Sequence, residues 1–285
     1  MVLVLLLTGP PPGAAQTSAP AQPGWRVLQP GLEYTRLKFE APGKGTTFDL
    51  HVVRIDPRVA RLRAVLASEL DGQKRTAGRW AEEHDLAVTT NLGMFNLENQ
   101  AEHTGFLRHG EHTNSARWVK DYQSVLAFDP LDGKDPPALV LDLDAPGARE
   151  RLDGYRTVVQ NLRLIKGPGR SVWRDNRRKW SEVLLADDEA GRILLVFSRT
   201  PVSMPELNRM LLASSLGIQR AMHLEGGPEA SLSIHAGGLD LDLCGSYESG
   251  FFENDSNARQ WPIPNVLGVE RVRPVVCPSA PTPTP

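Results

Sequence analysis

Cysteine is almost missing from this chain: there are two, Cys244 and Cys277, in 285 residues. Two thiols without matched partners do not make a structural zinc site, and they exclude a dense disulfide scaffold. If the protein is exported they can close one loop, which the chain-entropy argument values at roughly 3–4 kcal/mol. Two unpaired thiols are the other reading, because Cys277 abuts a loose tail. A surplus of charge is missing as well. Thirty-two Lys and Arg stand against thirty-four Asp and Glu, a net charge of −2, so there is no broad cationic surface of the kind that grips nucleic acid. No apolar run reaches the ~20 residues of a membrane-crossing helix. The chain also lacks GxSxG, HExxH, a Walker loop and GxGxxG, which removes most of the case for the usual serine hydrolases, zincins and nucleotide-binding folds.

What is present is ordinary globular composition, 40% hydrophobic and 23% charged, at a length that suits one domain with tails. Val2 to Leu7 (VLVLLL) followed by small residues and prolines resembles the end of a secretory signal peptide, so residues 1–24 are expected to be a signal or disordered segment and the protein periplasmic or secreted. Residues 275–285 end in PSAPTPTP and should form an extended tail. The globule is expected over 25–274.

Within it the pattern is mostly strand-like. Leu32–Phe39, Thr47–Ile55, Arg61–Ala67, Ala87–Thr90, Gln123–Phe128, Ala138–Leu143, Thr157–Ile165, Arg192–Ser198, Ile218–Leu224, Leu239–Leu243 and Val266–Val272 read as strands. Thr76 reads as the N-cap of one helix. Ser203, with Pro205 and Glu206 behind it, starts a second that should stop at Gly217. The expected fold is α+β: a single domain around a large mixed, mainly antiparallel β-sheet with few helices, the 198–226 stretch supplying a parallel crossover.

Four places combine unusual residues with strand ends or loops. Asn91-Leu92-Gly93-Met94-Phe95 puts an amide at a sharp turn, a spacing that an Asx turn also explains. Leu224-Glu225-Gly226-Gly227-Pro228-Glu229 releases a carboxylate beside two amides that can cradle an anion; a plain glycine turn is the alternative. Arg170 to Lys179 is a cationic run holding Trp173, with Trp180 just after; it offers guanidinium and stacking groups, or simply a solvated loop. Ser198-Arg199-Thr200 puts hydroxyls and a guanidinium at a strand end. His103, His109 and His112 cluster in sequence without the spacing of a helical metal pair.

Taken in order, these segments are similar to the phosphodiester glycosidase domain family, more closely to its bacterial branch. The likeness runs through Asn-x-Gly-x-Phe, HTGFLRHG, FSRTPVS, a helix, MHLEGGPEASL and PIPNVLGV, over about residues 45–271. Another branch of the family carries Asp before the glycines and Gly-Ser after them, where this chain has Glu225 and Pro228-Glu229.

The resemblance implies an exported hydrolase that cleaves a sugar-1-phosphodiester in an envelope polymer or glycolipid. Glu225 would be the general acid/base, with Glu229 or Asp187 a second carboxylate. Asn91 would orient the substrate, with Gly93 and Phe95 in the same turn. Ser198, Arg199 and one of Arg177 or Arg178 would hold the diester, and the Gly226 and Gly227 amides an oxygen. No cofactor is called for, with divalent-ion chemistry left open. The alternative is a non-catalytic carbohydrate- or polymer-binding envelope protein that keeps the cleft, with Trp173, Trp180 and Arg178 supplying affinity.

Overall fold

The computed structural model of the chain describes residues 24–40, 47–96, 98–175 and 177–273. The N-terminal apolar segment, the Pro-rich tail and the Cys244–Cys277 pairing fall outside these residues. In chain order the elements are β1 (Arg26–Gln29), β2 (Leu32–Glu40), β3 (Thr47–Ile55), β4 (Leu62–Leu66), α1 (Ala77–His84), β5 (Leu86–Asn91), β6 (Leu107–His109), β7 (His112–Ser115), β8 (Ser124–Pro130), β9 (Ala138–Asp142), α2 (Ala148–Arg151), β10 (Tyr155–Asn161), β11 (Arg163–Lys166), β12 (Arg170–Ser171), β13 (Trp180–Asp188), β14 (Ile193–Val202), α3 (Met204–Ala213), β15 (Ile218–Gly226), β16 (Ser231–Ala236), β17 (Leu239–Cys244) and β18 (Asn265–Glu270).

The strands form one eight-stranded sheet, β1-β2-β3-β14-β13-β15-β11-β12, and two five-stranded sheets, β7-β6-β10-β8-β9 and β17-β16-β5-β18-β4. The organisation is α+β, dominated by antiparallel sheet. Every strand pairing among the described residues is antiparallel. The parallel crossover read between 198 and 226 therefore does not pair its own strands. β14 and β15 do run the same way, but β13 lies between them and pairs antiparallel with both.

The middle of the large sheet is buried on both faces. Along β13, Val183 and Leu185 enter the main core while Leu184 and Ala186 enter a second core on the opposite face. β14 alternates in the same way, Leu195 and Phe197 against Leu194 and Val196. The main core also takes in Leu126 and Val159 of one small sheet and Val88 and Leu267 of the other, so both small sheets pack on the same face of the large one. α3 covers the other face with Met204, Leu207 and Leu211.

Local chemistry sets the helix boundaries. Thr76 Oγ1 accepts from the Arg79 amide at 3.2 Å, and the Glu206 carboxylate accepts from the Ser203 amide at 3.2 Å, each satisfying a donor that the first helical turn leaves free. α3 ends at Ala213, ahead of Gly217, where Ser214 Oγ donates to the Leu211 carbonyl at 2.6 Å. The run Thr157–Ile165, read as one strand, is two: β10 and β11 belong to different sheets and part company at Leu162.

Candidate active site

Three chain segments, two of them flanking strands of the β17-β16-β5-β18-β4 sheet and one at the end of β15 in the large sheet, meet around a cleft of about 560 Å³. The segment after β5 contributes Met94, Phe95 and His103. The end of β15 and the turn behind it contribute Glu225 and Glu229, and the long loop between β17 and β18 contributes Glu248 and Phe251. Glu98 and Glu102, between β5 and β6, and Arg117, on the exposed segment after β7, also line it.

Glu225 owes its position to an irregularity. β13 and β15 pair regularly up to Leu184↔His223, but the next pair is Val183↔Glu225, so Leu224 is an extra residue on β15. Such a bulge bends a strand and re-aims the side chains beside it. The Glu225 carboxylate then folds back so that its Oε1 accepts from the Gly226 amide at 3.1 Å. One donor of the anion cradle read at Gly226 and Gly227, the Gly226 amide, is thus taken by the protein's own Glu225. Gly227 sits at φ +63°, and a Cβ there would lie 2.5 Å from Glu248 Oε2; the missing side chain is the space that Glu248 fills.

Burial and mutual repulsion raise three of the carboxyls in this cleft, which has few cations among them. Burial, reinforced by the charges of Glu229 and Glu248 and opposed by His223, pushes Glu225 up to about 8. Burial and the Glu248 charge push Glu229 up to about 7, against Lys74. Burial also raises Glu248, against the pull of Arg178 and His223. Desolvation disfavours the charged form of each, and like charges add to that.

The amide of Asn91 is placed beside the acid-bearing turn but does not face the cleft. Asn91 is 1% exposed; its Oδ1 accepts from the Ser231 amide at 2.8 Å and its Nδ2 donates to the Glu229 carbonyl at 3.1 Å. It ties the end of β5 to the C-terminal side of the turn, and its burial keeps it away from the cleft. Gly93, at φ +102°, lies against the His103 ring and leaves no room for a Cβ. Phe95 lines the cleft, with the Lys74 ammonium 5.5 Å from its ring centroid.

The guanidinium assignments change most. Arg199 braces the β17–β18 loop: it donates to the Cys244 and Asn257 carbonyls at 2.9 and 2.8 Å and to Asp255 Oδ1 at 2.6 Å. Ser198 is buried and donates to the Thr200 carbonyl at 2.8 Å. Arg178 holds the same loop through the Ser249 carbonyl at 2.9 Å and lies 3.5 Å from Glu248 Oε1. Arg177, in a left-handed turn, bonds Asp175 through its backbone amide. Trp173 and Trp180 meet edge to face at 6.1 Å, and Trp180 is buried, so neither presents a broad open face to a sugar. Asp187 lies at the far end of β13, paired with Arg220 at 2.8 Å, where burial outweighs that pairing and pushes it up to about 6. The three clustered histidines diverge: His109 bonds Glu69, His112 bonds Ser68, and buried His103 bonds the Gln160 carbonyl, desolvation pushing it down to about 4.

Two cleft residues carried no sequence signal. Arg117 is exposed on the wall and has no ion-pair partner among the described residues. Glu248 lies in an irregular loop without periodicity or a recognisable motif, and only the distant Gly227 hints that something must approach there.

The sequence profile of the phosphodiester glycosidase family matches residues 84–270, which include every ionisable cleft residue named above; it begins later than the expected residue 45. Among solved structures, a hypothetical protein from Synechocystis is similar at 17% identity and a TM-score of 0.58, over 86% of this chain and 64% of that one. This chain therefore spans under two thirds of the length of that relative. The catalytic domain of zebrafish N-acetylglucosamine-1-phosphodiester alpha-N-acetylglucosaminidase, auto-inhibited by its pro-peptide, is similar at 12% identity and a TM-score of 0.57, over 86% of this chain and 85% of that one. At these identities the likeness is one of fold. No curated protein sequence matches the chain.

Replacing Asn91 with Ala strands a buried amide and a buried carbonyl, each worth about 1–3 kcal/mol. The expected result is a lower urea midpoint for Asn91→Ala. A variant as stable as wild type would return Asn91 to the list of substrate ligands.

Proposed function

The chain belongs to the phosphodiester glycosidase family, and from that premise we propose that its cleft hydrolyses a glycosyl phosphodiester, releasing a free sugar and a phosphomonoester. The observation that supports this most is Glu225: a half-buried carboxyl, still protonated at neutral pH, that opens onto a space large enough for a sugar. In the proposed step Glu225 gives its proton to the phosphate oxygen as the bond from that oxygen to the anomeric carbon breaks, and the bonding electron pair stays with the oxygen. Water adds to the anomeric carbon and loses a proton, which restores the balance.

A phosphodiester brings a negative charge into a cleft lined by Glu98, Glu102, Glu225, Glu229 and Glu248. The proton on Glu225 lowers the repulsion, and Arg117, exposed on the same wall and without an ion pair among the described residues, is the cation available to the phosphate. Arg117 is therefore assigned to the phosphate in place of Arg199. The N-terminal apolar segment supports the further proposal that the protein works outside the cytoplasm, periplasmic or secreted, on envelope polymers or glycolipids.

Three outcomes test this reading with a methyl diester of N-acetylglucosamine 1-phosphate as probe. Glu225→Gln should lose at least ~100-fold in kcat, the low end of what a positioned acid supplies; unchanged activity would remove the assignment. Because the acid must carry its proton, the wild-type rate should hold through neutrality and fall as pH rises past about 8. Arg117→Ala should raise KM by ~10–100-fold, the worth of a charge-assisted bond, with a smaller effect on kcat.

A further inference from the structure

The two carboxylates that meet at the Gly226–Gly227 turn have different surroundings. Glu225 arrives along β15 and receives the Gly226 amide. Glu248 arrives from the β17–β18 loop, where its backbone pairs with both Trp180 and Phe252, and rests over the gap at Gly227. It lies 3.5 Å from Arg178 Nη2. A third ionisable group lies two residues before Glu225 on β15. His223 is 4% exposed on β15, and its Nδ1 faces both oxygens of fully buried Glu182 at 2.8 and 3.0 Å. Trp180 Nε1 donates to Glu182 Oε2 at 2.5 Å. Burial raises Glu182, and Glu182 raises His223 against that group's own burial. With donors converging on Glu182 from both sides, the geometry assigns their shared proton to His223, a buried cation on the strand that delivers Glu225.

Resting on the glycosidase reading above, we propose that Glu248 is the second catalytic carboxylate, ionised toward the anomeric carbon, and that His223, fixed by Glu182 and Trp180, is the positioning cation that holds Glu225 and Glu248 to one proton between them. Neighbouring carboxyls titrate as a pair, and a nearby cation decides how many protons the pair keeps. The charges acting on Glu225 are His223, Glu229 and Glu248; on Glu248, Arg178 and His223; on His223, Glu182, Glu225 and Glu248. Glu248 has two cations at hand and Glu225 has one, so the ionised member is Glu248. Glu229 also acts on Glu225 and is itself raised by Glu248, against Lys74, so it is the third carboxyl of the cluster. A carboxylate facing the anomeric carbon stabilises the positive charge that develops there as the bond breaks.

The test combines a titration that needs no substrate with a kinetic measurement. Protein labelled with carbon-13 at the glutamate carboxyls is titrated by NMR as wild type, Glu248→Gln and the double variant His223→Gln/Glu182→Gln, which removes both buried charges and leaves no orphaned ion. The expected result is coupled titration of Glu225 and Glu248. The Glu225 midpoint should fall in Glu248→Gln by about one unit, the scale of a strongly coupled pair, and rise in the double variant. Independent midpoints, unmoved by either change, would overturn the proposal. With the methyl diester, Glu248→Ala should lose at least ~100-fold in kcat at nearly constant KM and recover in part with added formate. Glu248→Ala at the wild-type rate would remove the catalytic role. A protein that titrates as expected yet releases no sugar would remove the glycosidase reading, and with it the role of Glu248, while the shared proton would stand.

Discussion

The desolvation of one carboxyl governs this molecule. Glu225 stands at the end of a core strand, with two more glutamates across the turn and a single imidazolium two residues before it on that strand. Ionising it would put a second negative charge into a poorly hydrated space, and each unit of raised pKa represents about 1.4 kcal/mol of that penalty. The surrounding structure buries the carboxyl while leaving a cleft of about 560 Å³ beside it.

Several features identified as binding groups from their residue type serve this purpose. Asn91 fastens the end of β5 to the C-terminal side of the acid-bearing turn. Arg199 gathers the start and middle of the β17–β18 loop through two carbonyls and Asp255, and Arg178 holds the loop's near end. Ser181 on β13 adds a further tie, donating to the Arg199 carbonyl and accepting from the Ser246 amide. An irregular loop that carries Glu248 to within reach of Gly227 is held by many individually modest bonds, each worth about 0.5–1.5 kcal/mol net. The wall of the cleft is as rigid as that network.

The sequence disclosed what depends on near neighbours. Alternation located β2 and β3, and the capping chemistry of Thr76 and of Ser203 with Glu206 located the starts of α1 and α3. The acid-Gly-Gly turn and the Asn91 turn stood out because both are local motifs in the order found in the phosphodiester glycosidase family, and the fold brings the two turns into contact. What depends on distant partners was hidden. β13, the most buried strand of the large sheet, follows a cationic run and reads as its continuation until the neighbouring strands are known. The break at Leu162 that sends β10 and β11 to separate sheets has no proline or glycine to announce it. Whether an arginine meets a substrate or a backbone carbonyl depends on which loop folds over it, so Arg199 was given the phosphate while Arg117 went unnoticed. The bulge at Leu224 and the approach of Glu248 to Gly227 are long-range consequences of register.

The account stands on the proton of Glu225, and infrared difference spectroscopy of the protein between neutral and alkaline solution observes it directly. The account predicts the loss of a protonated-carboxyl C=O band as pH rises through about 8, absent from the same spectrum of Glu225→Gln. A spectrum showing only carboxylate across that range, or a band that survives in Glu225→Gln, would contradict it.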